Sequence, residues 1–268
     1  MMNGPALLMD AQRLMFRRRY AEAFALVSRL YAHAQEPADS PGRSALDRAL
    51  YLWGELAGHH APAHAALARV RDDLAAILRT GPPDRTLLRR VATLDASLGE
   101  AAHTRTLFLE LTEHDTALAA MYAHAVLPAL IAVGDFALAE RLLSDPEQVV
   151  HDESAFLNRE FASRRMRAYT RAPRIAASIH NYAAEIRKVL RVLEGRGRID
   201  DARRLHTMAI DAIPATTLRR AVRTALQPGA QPWYARGRPE LHKKRTKERL
   251  RHRRLLAKGA RGLAPAVV

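Results

Sequence analysis

The chain reads as all-α: a succession of antiparallel helical hairpins followed by a basic C-terminal extension. Three observations predict that class. No stretch alternates apolar and polar residues for more than a few positions, so the strand period of two is missing. Alanine supplies 51 of the 268 residues, and it is both the best helix former and a small side chain that lets helices approach closely. Turn and capping residues interrupt the chain every 15 to 20 residues, which suits helices joined by short links. Hydrophobic residues at 48% and charged residues at 26% give a globular composition with material for a core.

From the N-terminus, helices are expected near residues 5–17 and 20–35; in the second, Tyr20, Phe24, Val27 and Tyr31 share one face, flanked by Ala23 and Leu30. Asp39-Ser40-Pro41-Gly42 interrupts the chain before helices near 43–58 and 62–79. Gly81-Pro82-Pro83-Asp84 then stops one helix and starts another near 84–98, with Asp84 as its N-cap. Helices near 101–114 and 116–133 follow. The latter coincides with the longest apolar run, Ala117–Val133; at 17 residues, with His124 and Pro128 inside, it is expected as a buried core helix and not a membrane span. Asp145-Pro146 stops a helix near 135–144 and starts another in the same way, with further helices expected near 153–170, 174–195, 199–213 and 215–226. Short links make successive helices antiparallel, and such hairpins bury their faces only against neighbours.

Several of these hairpins share a pattern. In Gly197-Arg-Ile199-Asp-Asp-Ala202, continued by His206, Ala209 and Pro214, a small turn residue precedes an aliphatic one, then alanines at helix contacts, then a closing proline. Gly134-Asp-Phe136-Ala-Leu-Ala139 repeats the first part, Arg19-Tyr20-Ala-Glu-Ala23 repeats it without the glycine, and Leu98-Gly99-Glu-Ala101 is a fourth, shorter copy. The pattern resembles the second half of a tetratricopeptide repeat. The closing proline stands only at Pro214, and the opening tryptophan–leucine–glycine signature of that family is missing. The resemblance implies a TPR-like α-solenoid over residues 1–227. Gly197–Pro214 would also fit a pentatricopeptide repeat, a class that reads RNA one base per repeat, but one unit is too little for such a code.

Catalytic signatures are missing. The absence of cysteine excludes disulfides, thiolate nucleophiles and cysteine-ligated metals. His60 and His64 are four apart beside His59, but Pro62 intervenes and no carboxylate lies within a turn, so a solvated helix-start loop is expected and no metal. His114-Asp115 and His151-Asp152-Glu153 are expected to straddle helix ends, where aspartate caps. Asp72-Asp73 and Asp200-Asp201 begin or decorate helices, and adjacent helical residues diverge too far to act as acid–base couples. No glycine-rich phosphate loop and no nucleophile elbow occurs, so neither catalytic residues nor a cofactor is expected.

Charge carries the strongest functional signal. The whole chain has a formal charge of +15, of which residues 228–268 hold 12 Lys or Arg against Glu240 and Glu248. This shift sets a domain boundary at 227/228, separating a helical-repeat domain, 1–227, from a basic tail with a possible helix at 239–258. Like charges four apart oppose that helix in isolation, so the tail is expected to order against an acidic surface. Its candidate contacts are Lys243, Lys244, Arg245, Lys247, Arg249, Arg251, Arg253 and Arg254, with Trp233 and Tyr234 as an aromatic anchor or base-stacking pair. Within the body, Arg164, Arg167 and Arg171 are expected to share a basic helix face that Arg174 continues. The N-terminal residues do not read as a secretory signal, since the basic cluster Arg17–Arg19 follows the apolar run, and a cytoplasmic protein is expected. The expected function is a non-catalytic scaffold that binds a protein partner through its repeats. The alternative is RNA, DNA or ribonucleoprotein binding through the tail and the 159–174 face.

Overall fold

A computed structural model describes residues 4–35, 43–113, 115–143, 145–163 and 168–227. Among them are twelve helices and no strand: α1 (Gly4–Phe16), α2 (Tyr20–Gln35), α3 (Arg43–Ala57), α4 (Ala61–Thr80), α5 (Arg85–Leu98), α6 (Ala101–Thr112), α7 (Thr116–Ala132), α8 (Phe136–Leu142), α9 (Pro146–Ala162), α10 (Ala168–Gly195), α11 (Ile199–Asp211) and α12 (Thr216–Leu226). The all-α class is therefore as expected. Residues 228–268, with the possible helix at 239–258, lie outside the described residues.

Local chemistry explains where the helices start. Asp84 accepts hydrogen bonds from the Thr86 and Leu87 amides (2.7 and 3.1 Å), Asp115 from Leu118 (2.8 Å), Asp135 from Leu138 (3.2 Å) and Asp145 from Glu147 (3.0 Å). Each satisfies an amide that the helix itself cannot. Pro146 occupies the first position of α9, where its missing amide costs nothing.

Two expected helices are displaced. The one placed near 153–170 is α9, Pro146–Ala162, because Asp145-Pro146 initiates a helix at once; His151-Asp152-Glu153 consequently lies inside α9 and not at an end. The one placed near 174–195 is α10, Ala168–Gly195, which runs through Pro173. Pro173 falls in the second turn, where few intrahelical bonds precede it, so one lost bond does not stop the helix.

Four of the links share one geometry. Gly99, Gly134 and Gly197 take left-handed backbone angles (φ +76°, +76° and +75°), and Arg18 does the same at φ +60°. The amide after each reaches back five residues: Arg19 to Leu14 O, Glu100 to Asp95 O and Asp135 to Leu130 O, and Arg198 to Leu193 O, all at 2.8–2.9 Å. This six-to-one bond with a left-handed residue before it is the usual way to close a helix C-terminus. Arg18 thus stands where the other three copies place glycine.

The described residues divide into two compact units: those up to 143 with the turn 195–197, and those from 145 to 194 with 198–227. In the first unit each helix from α1 to α8 packs on the next, and α3 also packs on α1 and α5, and α5 on α7. One cluster of buried residues in it joins Ala11, Ala23, Val27, Leu52, Trp53, Leu56, Ala63, Leu67 and Leu94. Trp53 is the centrepiece: its indole N–H donates to Ala63 O (3.0 Å), while Phe24 and Tyr31 pack on its ring at 5.7 and 5.4 Å between centroids. α3 and α5 approach closely at Gly54, where an added Cβ would lie 2.6 Å from Ser97 Oγ. α7 buries Tyr122, Ala125, Val126, Leu127, Ala129 and Leu130, so the apolar run is a core helix. Among the described residues no helix is long and apolar enough to cross a membrane.

In the second unit α11 packs against α9 and α12. Buried Ala202 and Ala209 keep the α11 surface low. α10 is tied to its neighbours by hydrogen bonds: Tyr182 donates to Ala209 O of α11 (2.6 Å) and Arg187 to Ala225 O of α12 (3.0 Å). Asn158 of α9 donates to Ala212 O at the end of α11 (3.1 Å).

Candidate functional site

The basic residues singled out above are only partly described. Arg171 lies in α10, whereas Arg164, Arg167, Trp233, Tyr234 and the tail cations Lys243, Lys244, Arg245, Lys247, Arg249, Arg251, Arg253 and Arg254 lie outside the described residues. Arg174 is described and is engaged: it grips Glu160 of α9 bidentately, at 2.7 and 3.0 Å. That pair spends one positive charge of the 159–174 stretch on the protein's own carboxylate.

The second unit holds an open groove of about 530 Å³ where α10 meets α11. Leu190 and Ala202 lie buried along it, Ile199 leaves 42% of its surface to solvent, and Glu194, Arg203, His206 and Thr207 supply polar edges. These residues come from the Gly197–Pro214 pattern and the helix before it. The groove combines an apolar strip with charges of both signs, the composition of a surface that seats a side chain from another molecule.

The first unit holds a buried polar network that sequence reasoning missed. Asp95 of α5 is 0% exposed and Arg71 of α4 is 7% exposed. Arg71 Nη1 bonds Asp95 Oδ1 and reaches Glu100 Oε2 at 2.7 Å, while its Nε donates to Asp72 at 2.6 Å. The other oxygen of Asp95 takes the Thr104 hydroxyl at 2.6 Å and meets His103 Nδ1 at 2.8 Å. Burial works against the Arg71 charge, but the hydrogen bonds to Glu100, Asp95 and Asp72 outweigh it and hold the guanidinium above its ordinary pKa. The signal for this pair was present in the sequence. Arg71 interrupts the buried stripe Ala63, Leu67, Ala75, Leu78 of α4, and Asp95 lies beside Leu94 on the buried face of α5. A charge on each apolar stripe marks a buried polar group in need of a partner, and the packing of α4 on α5 supplies it.

No family model, curated protein or solved structure matches this chain. Function has to be read from the groups themselves.

Both oxygens of Asp95 are occupied, and its partners come from α4 and α6, so the network clasps three helices together. Among the described residues no group of three His, Asp or Glu side chains is placed to hold a metal ion. The histidines near Pro62 are not simply solvated: His59 stacks on Tyr20 (5.4 Å, 12°) and His60 packs on Phe24 (5.9 Å, 60°). Two phenols are buried as well, Tyr122 and Tyr182. Burial pushes Tyr182 above its ordinary pKa, and Tyr122, whose oxygen accepts the Asp84 amide at 3.2 Å, is raised for the same reason. The Asp135 carboxyl is lowered, chiefly by its hydrogen bond from Arg105 (2.7 Å).

Proposed function

We propose that the chain is a non-catalytic interaction scaffold, a cytoplasmic TPR-like array of helical hairpins that seats a protein partner in the groove between α10 and α11. The observation that carries this reading is the groove itself: an open apolar strip flanked by charges of both signs, built on the segment with the fullest repeat pattern. The repeated left-handed turns and the packing of alternate helices in the first unit support the solenoid architecture, since a stacked array places each hairpin against its sequence neighbours. The test is affinity capture with the whole chain, with and without nuclease, compared with Ile199→Asp. Partners retained after nuclease and lost from the Ile199→Asp variant support the scaffold. Capture that survives the substitution unchanged, or disappears entirely with nuclease, overturns it.

A second reading, binding of RNA or DNA through the tail and the 159–174 face, draws on the 12 Lys or Arg of residues 228–268. The pairing of Arg174 with Glu160 weakens the contribution of the body stretch to it.

A further inference from the structure

Many arginines of the described surface are answered by a carboxylate. Arg13 meets Asp10, Arg79 meets Glu110 and Arg203 meets Asp200, each at 3.0 Å. α12 departs from this habit. It carries Arg219, Arg220 and Arg223 and no acid, and the sequence has no Asp or Glu between Asp211 and Glu240. Its orientation is fixed by burial of Leu218, Val222 and Leu226, which share one face at four-residue spacing. The outer face therefore consists of Thr216, Thr217, Arg220, Arg223 and Thr224, all exposed.

Backbone carbonyls orient the neighbouring guanidiniums without neutralising them. Arg219 Nε donates to Ile213 O at 2.7 Å. At the other end of the helix Arg187, from α10, donates to Ala225 O at 3.0 Å, and its Nε is buried with no acceptor among the described residues. The result is a helix face that offers cationic forks and hydroxyls only.

That composition selects the class of partner. A protein interface needs apolar or aromatic anchors at its centre, and the outer face of α12 has none. Contacts to a phosphodiester backbone are made by arginine, lysine and hydroxyl side chains, and guanidinium matches phosphate in a two-pronged geometry. An eleven-residue helix is about 16 Å long, enough to lie along several successive phosphates. We propose that the outer face of α12, with Arg187 at its C-terminal end, docks the sugar–phosphate backbone of a nucleic acid. This site is separate from the α10–α11 groove and does not depend on a protein partner there.

The experiment is fluorescence anisotropy of the whole chain against labelled single-stranded RNA and duplex DNA, at about 50 and about 200 mM salt. The paired substitution Arg220→Glu/Arg223→Glu is compared with Arg69→Glu/Arg89→Glu, which makes the same charge change on exposed positions of α4 and α5. The α12 pair is expected to weaken binding about tenfold or more at the lower salt and to flatten the log–log salt dependence by about one to two. The control pair should leave the slope unchanged, and both variants should melt as the parent does. Should the α12 pair melt early, Arg220→Gln/Arg223→Gln replaces it and the slope alone is read. No binding by the parent chain, equal losses in both pairs, or displacement of the RNA by polyglutamate at matched charge would each overturn the proposal.

Discussion

Asp95 shows how a single side chain can hold a fold in register. Taking one carboxylate and one guanidinium out of water is costly, and their mutual attraction offsets that cost only when further hydrogen bonds fill the remaining positions. Here Thr104, His103, Glu100 and Asp72 fill them. Asp95→Ala is therefore expected to destabilise the first unit by about 3–5 kcal/mol in denaturant titration, because Arg71 is left charged and buried without its buried carboxylate partner. Replacing both, Arg71→Met with Asp95→Leu, should recover most of that loss; a double variant no better than the single would show that the pair itself stabilises. Asp135 makes a pH-dependent contribution. Its folded pKa is lowered, so its stabilisation is present above the unfolded carboxylate value of about 3.9 and is lost as pH falls through the folded value. Asp135→Asn keeps an oxygen to cap α8 but loses the charge. Its deficit in melting temperature should be visible near neutral pH and close in acid as the carboxyl protonates below its lowered folded value; a deficit that stays constant into acid would mean the charge is irrelevant. Neither the Arg71–Asp95 pair nor the Arg105–Asp135 pair is legible as a contact in the sequence, since the partners stand 24 and 30 residues apart and only the fold aligns them. Their separate placement on apolar stripes or at caps was legible.

At the scale of elements, helices and turns follow closely from local chemistry. Ten of the eleven intervals between the described helices are marked by Gly, Pro, Asp or the equivalent turn at Arg18, the stretch 163–167 before α10 being the exception, and the two displaced helices are those with a proline at the start or in an early turn, where it is tolerated. Arg18 is the exception that tests the rule. It occupies the left-handed position that glycine holds in the three sister turns, at φ +60° and with its side chain exposed. Arg18→Gly should raise stability by about 0.5–1 kcal/mol, since relief of the left-handed strain exceeds the added freedom of the unfolded chain. Gly134→Ala should lower it by about 1 kcal/mol, as its position has room for a Cβ but not the backbone preference. Thermal melts of both variants decide the matter: a destabilising Arg18→Gly would mean the arginine side chain, and not the turn, determines that link. The open groove is not legible in the sequence, because Ile199 has the pattern of a packing residue of a repeat and its exposure depends on which helix faces it.

On the scale of the whole molecule, the charge asymmetry of the sequence and the packing of the helices tell different parts of one account. Net charge of +15 predicted acidic partners, but most of that excess belongs to residues 228–268, and within the helical body many arginines are satisfied by neighbouring acids. A face that carries arginines and no acid is that of α12, in the stretch of sequence just before the basic segment begins. Each compact unit has its own buried cluster or buried helix set, so each is expected to withstand substitutions confined to the other. Trp53 makes that separable by experiment. The chain has only two tryptophans, and Trp53 is enclosed by Phe24, Tyr31 and the Ala63 carbonyl. With Trp233→Phe in place, the intrinsic emission of the protein comes from one indole in a dry pocket of the first unit. Its red shift during heating becomes an optical clock for that unit alone, against which the loss of helical ellipticity by the whole chain can be timed.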